Sequence, residues 1–331
     1  MNVTALLLLL FPIVAASVPL IALLAVLVWM DRYEREPIWL VAITFLWGAI
    51  GAIFFALFAS VLFLLPAEAF LDPASIEAVG AVLVAPLVEE PAKGVVLLFL
   101  VASKHFDNPT DGIVYGAAAG LGFGMTENFF YFAEPAASGE VGSWIGLVFI
   151  RTLFSAPMHA CATALLGMAL GFAKFRGWRQ RIVVVPLGLA AAVGLHMMWN
   201  GLAVLSSTSP QGGLLFLLNL VLLIGVFALM MASYQFSLWR ESKLILRELT
   251  LLAQEGVLPE DQVQHLSSWT SRALKRDWVP PQVPKKAYIE TATLFAFRMA
   301  QSRARPDQGF YRDEAARLRT ELEEFLARAV P

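Results

Sequence analysis

Glu89, Glu90 and Lys93 stand together inside an otherwise apolar stretch, and three further apolar stretches carry polar groups of the same kind. Glu127 and Asn128 lie in one, His159 and Thr163 in the next, and His196 and Asn200 in the one after that. An ionisable group at the centre of a bilayer costs roughly 3 kcal/mol or more, so each needs a reason to be there. Spacings of four put Glu89 and Lys93, Phe123 and Glu127, His159 and Thr163, and His196 and Asn200 on shared helix faces. Pro91 removes one helical hydrogen bond beside the two glutamates, and backbone opened at that depth must border protein or water.

These residue types suit hydrolysis. A buried carboxylate can serve as a general base, and two adjacent carboxylates push their proton affinities apart, so Glu89 and Glu90 can divide the labour, oriented by Lys93. His196 and Asn200 can hydrogen-bond the oxygen of a tetrahedral intermediate. Alternatively, His159, His196 and Glu127 supply a two-histidine, one-carboxylate set for zinc, and the metal-assisted route is the one expected. Each element also has a plainer reading. A lone histidine or asparagine in a membrane helix often only links helices, and a Glu–Lys pair can be a structural ion pair. Arg151, nearer a span end, is expected to snorkel, and Cys161 points away from the face of His159.

The elements that would hold these groups are helices in a membrane. With 58% hydrophobic and 15% charged residues among 331, the chain is too apolar for one water-soluble core. Seven stretches are long enough to span: 3–30, 38–65, 76–102, 112–132, 144–175, 182–205 and 213–234. They are solid apolar runs, not alternating ones, which argues against a β-barrel. Glu89, Glu90, Glu127, His159 and His196 all fall about 20 Å from a surface, so neighbouring spans can gather them into one cluster. Gly116, Gly120, Gly122 and Gly124 would let the fourth span approach its neighbours closely. Lys and Arg occur in alternate connections, which predicts an extracytoplasmic N-terminus and a cytoplasmic C-terminus in a multi-pass plasma-membrane protein.

Past residue 235 the composition turns charged. Residues 1–235 are expected to form the membrane domain and 236–331 a cytosolic helical tail, with helices over 238–255, 287–303 and 310–329 and one starting near Pro259. The net charge of −2 and the absence of a basic block give no reason to expect nucleic acid as a partner. The single cysteine excludes an intrachain disulfide.

At the polar motifs the sequence resembles the PrsW family of membrane-embedded proteases, and more distantly the CAAX-prenyl endopeptidase and bacteriocin-immunity superfamily. Glu89-Glu90-Pro-Ala-Lys93 matches E-E-x-x-K, Phe123-Gly-Met-Thr-Glu127 matches F-x-x-x-E, and His159 and His196-Met-Met-Trp-Asn200 match the later histidine motifs. Asp31–Pro37 and Asp111–Gly116 also resemble this family. The resemblance implies an endopeptidase acting on membrane-anchored proteins such as anti-sigma factors. The expectation is therefore an all-α, seven-span protease of single-span membrane substrates, embedded in the lipid bilayer. Glu89, Glu90, Lys93, Glu127, His159, His196 and Asn200 would form its site, with Glu127, His159 and His196 as zinc ligands. A proton-coupled transporter or channel, and a non-catalytic binding or immunity protein, are the alternatives.

Overall fold

Apolar segments of this length satisfy their own backbone by folding as helices. The computed structural model describes residues 3–138, 141–275 and 278–328, and these hold helices and turns with no strand. The fold is all-α. Its contacts separate into two compact units, Met1–Met30 with Glu36–Ser233, and Asp31–Arg35 with Tyr234–Pro331.

The first unit begins with α1 (Val3–Met30) and α2 (Ile38–Leu46), which runs through a π-helical turn, Trp47–Ala52, into α3 (Ile53–Leu64). Next come α4 (Pro73–Val79), a second π turn at Gly80–Val84, and α5 (Ala85–Leu100). Helix α6 (Pro109–Ser138) precedes α7 (Val141–Ile150), a third π turn at Arg151–Ser155, and α8 (Ala156–Ala173). Helix α9 (Trp178–Thr208) is followed by α10 (Gly212–Gln254). Among the described residues, five helices are long and apolar enough to cross a membrane: Leu10–Met30, Ile38–Ala69, Val141–Ala173, Trp178–Thr208 and Gly212–Gln254. The third and fourth expected spans coincide with α4–α5 and α6, which are helical but carry the charged residues.

Helix α6 is the hub. Residues 110–124 are buried on every side, an environment that glycine makes reachable. A Cβ at Gly120 would stand 2.2 Å from the carbonyl oxygen of His159, and one at Gly122 would stand 2.0 Å from that of Phe45. Backbone thus touches backbone on two faces of α6, with α8 on one and α2 on the other, as small residues permit in membrane helices. The contact at Gly120 sets the depth of His159 against α6.

The second unit gathers the end of α10 with α11 (Glu260–Ser267), α12 (Trp269–Leu274), α13 (Lys285–Ala304) and α14 (Gly309–Ala327). Helix α10 passes residue 234 without a break, where the sequence suggested the end of a span; it ends before Gly256, whose φ of +75° stops it. The expected last helix reached residue 329, which lies outside the described residues. Ile245, Leu249, Leu266, Tyr288, Phe295, Leu318, Leu322 and Phe325 form the core. Residues 31–35 belong to this unit: Tyr33 packs on its core, Arg32 covers the ring of Trp269, and Glu34 faces the buried Arg298, 3.8 Å away.

Candidate active site

Four helices bring the polar residues together. From α5, Lys93 Nζ reaches Glu90 Oε1 at 2.7 Å, Glu89 Oε2 at 3.3 Å and His159 Nδ1 of α8 at 3.0 Å. Its ammonium also lies 3.9 Å above the ring centre of Phe123 on α6, a cation–π contact that explains the aromatic residue four before Glu127. Glu90 receives two more donors, His196 Nδ1 of α9 at 2.9 Å and Thr163 Oγ1 at 3.1 Å. Glu127 Oε2 is 2.7 Å from His159 Nε2 and 2.9 Å from Arg151 Nη2. The two imidazoles meet edge to face, 4.8 Å apart.

These contacts fix where the protons sit. A carboxylate only accepts, so the nitrogen facing it carries the hydrogen. His196 carries a hydrogen on Nδ1 toward Glu90, and in the neutral imidazole Nε2 keeps its lone pair. His159 carries its hydrogen on Nε2 toward Glu127, and Nδ1 accepts from Lys93. All three ammonium hydrogens of Lys93 are engaged.

The three π turns flank this cluster, where such insertions commonly sit. Two share a local cause. The amide of Ala85 bonds Gly80 O, and the next amide, at position 86, belongs to proline; the carbonyl of Ala81 is left without a helical donor. Asn200 Nδ2 fills the gap, 2.8 Å from Ala81 O. Likewise Ala156 bonds Arg151 O and Pro157 follows. In the remaining turn, Trp47–Ala52, Thr126 Oγ1 donates to Ala49 O at 2.7 Å. Widening the helix by one residue re-aims the side chains beyond it, the glutamates on α5 and His159 on α8.

Glu89, Glu90, Lys93, Glu127, His159 and His196 therefore converge. Asn200 instead gives one Nδ2 hydrogen to a backbone carbonyl, Ala81 O, one turn of α9 away from His196. Arg151, expected to snorkel, instead pairs with Glu127, gives its Nε hydrogen to Asn128 Oδ1 at 2.9 Å, and lies 3.6 Å over the ring of Tyr131. Its signal in the sequence was Pro157, which follows the π turn Arg151–Ser155 that begins at this residue. Trp47, another residue not singled out, donates from Nε1 to Ala92 O at 3.0 Å.

A metal set also differs from expectation. Glu89, His159 and His196 have ligand atoms within 4.8 Å of one another, all acceptable to zinc by type. The carboxylate of this trio is Glu89; Glu127 is drawn aside to Arg151. The trio fits an ion in chemistry and spacing, and His159 would have to exchange its Nε2 hydrogen or its Lys93 contact for the ion.

A profile described as "PrsW family intramembrane metalloprotease" matches residues 36–231. Protease PrsW of Bacillus subtilis (strain 168) is 30% identical over 192 residues, which cover 56% of this chain and 80% of that protein. Protease PrsW of Geobacillus kaustophilus (strain HTA426) is 33% identical over 173 residues, 52% of this chain and 71% of the relative. Protease PrsW of Clostridioides difficile (strain 630) is 32% identical over 170 residues, 49% and 68% respectively. No solved structure matches. With a profile that spans more than half its length, seated on the segment that builds the polar cluster, this chain belongs to the PrsW family of intramembrane proteases.

Proposed function

We propose that the chain hydrolyses peptide bonds of membrane-anchored proteins, with Glu89 as general base. The observation that carries this reading is the unequal exposure of the paired glutamates: the Glu89 side chain is 14% exposed and that of Glu90 is fully buried. Glu90 is saturated by Lys93, His196 and Thr163, so its work is to hold them. Glu89 has Lys93 on one oxygen, Oε2, and keeps 14% exposure through which a water would reach it. There it can take the proton of an attacking water and later pass it to the departing amine. Glu127 fixes the tautomer of His159, and His159 in turn fixes Lys93.

The metal-assisted route is the second reading, favoured by the mutual spacing of Glu89, His159 and His196. These three residues would hold the ion, which would supply Lewis-acid activation of water. His196, with a lone pair already on Nε2, is prepared for that task.

The substrate class is a single-span protein, anti-sigma-factor-like by family resemblance. Residues 1–235 would be the catalytic domain, with seven spans and the N-terminus outside; residues 236–331 would lie in the cytoplasm. Cleavage of a coexpressed single-span substrate tests the base, since Glu89→Gln should abolish product while the protein accumulates in the membrane. Metal content of the purified active protein separates the routes. Stoichiometric metal, with activity lost on chelation and restored by zinc, selects the second; full activity after exhaustive chelation eliminates it.

A further inference from the structure

Hydrolysis by this route puts a negative charge on the former carbonyl oxygen, and that charge needs a pre-aimed donor. The obvious donors are already committed. Lys93 spends its three hydrogens on Glu89, Glu90 and His159. His159 gives its hydrogen to Glu127, and His196 gives its own to Glu90. Asn200 gives one of its two Nδ2 hydrogens to Ala81 O.

Arg151 is different. A guanidinium has five N–H groups. One, on Nε, goes to Asn128 Oδ1. Nη2 sits 2.9 Å from Glu127 Oε2 as an ion pair without an aligned hydrogen bond, so its hydrogens are unspent, while Tyr131 is a further side-chain hydrogen-bond neighbour of the guanidinium. The group is nevertheless held firmly, clamped by a fully buried Asn128 and laid flat on Tyr131 at 3.6 Å. Its side chain is 12% exposed, beside Glu127 at 24%, the carboxylate that holds His159 of the same cluster. A fixed cation with unspent Nη2 hydrogens beside a saturated network is what an oxyanion requires.

We infer that Arg151 is a catalytic residue that binds the oxyanion of the scissile peptide; the inference rests on the hydrolytic reading above. Water attacks the carbonyl carbon and gives one proton to Glu89. The π electrons of C=O move onto oxygen, which accepts hydrogen bonds from the guanidinium. The intermediate then collapses: C=O re-forms, the C–N bond breaks, and the Glu89 proton passes to the leaving nitrogen. One water is consumed, and an acid and an amine are released. Asn128 and Tyr131 are the positioning residues of this arm.

The test uses the purified full chain, a single-span substrate, and Arg151→Gln, Arg151→Ala and Arg151→Lys beside Glu89→Gln. Arg151→Gln should lower kcat by about 10²–10³-fold with KM little changed, the cost of a lost oxyanion donor. Added guanidinium ion should restore part of the Arg151→Ala turnover and none of that of Glu89→Gln. If the neutral variants fail to accumulate, Arg151→Lys carries the test. It keeps the cation without the fork, and its kcat should fall at least about tenfold at unchanged KM. Wild-type kcat in an Arg151 variant, with Glu89→Gln inactive, overturns the inference and leaves the hydrolytic reading standing. A loss that guanidinium cannot rescue, or one carried by KM, also overturns it, because Arg151 would then only brace Glu127. An active Glu89→Gln removes the hydrolytic reading itself.

Discussion

The polar cluster has a closed half and an open half, and they are built differently. In the closed half, Glu90, Lys93 and Thr163 are sealed from solvent, and every hydrogen of the ammonium has an acceptor. In the open half, Glu89, Glu127 and Arg151 keep some exposure, and Arg151 keeps unspent hydrogens. Buried charge survives only when paired and hydrogen-bonded, so the first half must be complete to exist at all. Groups that react must retain capacity for a partner not yet present. Completeness therefore marks the scaffold of the site, and incompleteness marks its working face.

Substitution at the paired glutamates is the hardest test of that division. Glu89→Gln should reduce cleavage by about 10²–10⁴-fold, the usual contribution of a general base, while the protein still accumulates. Glu90→Gln should act on the protein itself: it removes the charge that pairs with Lys93 and leaves one acceptor oxygen where Lys93, His196 and Thr163 need two, and breaking a buried pair costs about 3–5 kcal/mol. Membrane abundance and thermal stability of the two variants, measured together with cleavage, decide the matter. If both accumulate equally, the closed half is not the scaffold it is taken for here.

Lys93→Met sharpens the same point from the cationic side. It leaves Glu90 without its ammonium, and the expected loss is again about 3–5 kcal/mol, seen as depleted protein in the membrane. The double variant Glu90→Met with Lys93→Met should recover much of that stability, because replacing a whole buried pair by apolar groups is often near neutral. Recovered abundance without cleavage is the outcome expected. A smaller effect belongs to Phe123→Leu, which removes only the ring beneath the ammonium and should cost about 0.5–2 kcal/mol in stability.

The sequence made the closed half and the two glutamates of the open half legible, because burial of charge in an apolar run is visible without coordinates. Glu89, Glu90, Lys93, Glu127, His159 and His196 could be gathered by depth alone, and the glycines of α6 announced close packing that the backbone contacts at Gly120 and Gly122 display. The rest of the open half was harder to read. Arg151 lies near a span end, where a long cation ordinarily reaches for water, and it begins the π turn that precedes Pro157. A one-residue insertion of this kind leaves no periodic signature in so short a run. The same blindness hid the brace that Asn200 supplies: four residues after His196 it shares a face with it, but the orphaned carbonyl that takes one of its amide hydrogens is created by Pro86 on another helix.

Asn200 supplies the smallest effect and the finest cut between scaffold and working face. If it is a brace, Asn200→Ala leaves Ala81 O without a donor and should cost about 1 kcal/mol, typical of an interhelical hydrogen bond in a membrane, with less than a tenfold change in kcat. If it is an oxyanion donor, kcat should fall by about 10²–10³-fold. The brace makes a second demand that catalysis does not. Pro86→Ala restores an amide at the position that would serve Ala81 O, so the hydrogen bond from Asn200 becomes redundant. Asn200→Ala should then cost less stability in the Pro86→Ala background than in the wild type, a positive coupling that a double-mutant cycle reads directly. A large kcat loss of equal size in both backgrounds would instead place Asn200 on the working face, and Arg151 would have to share the oxyanion with it.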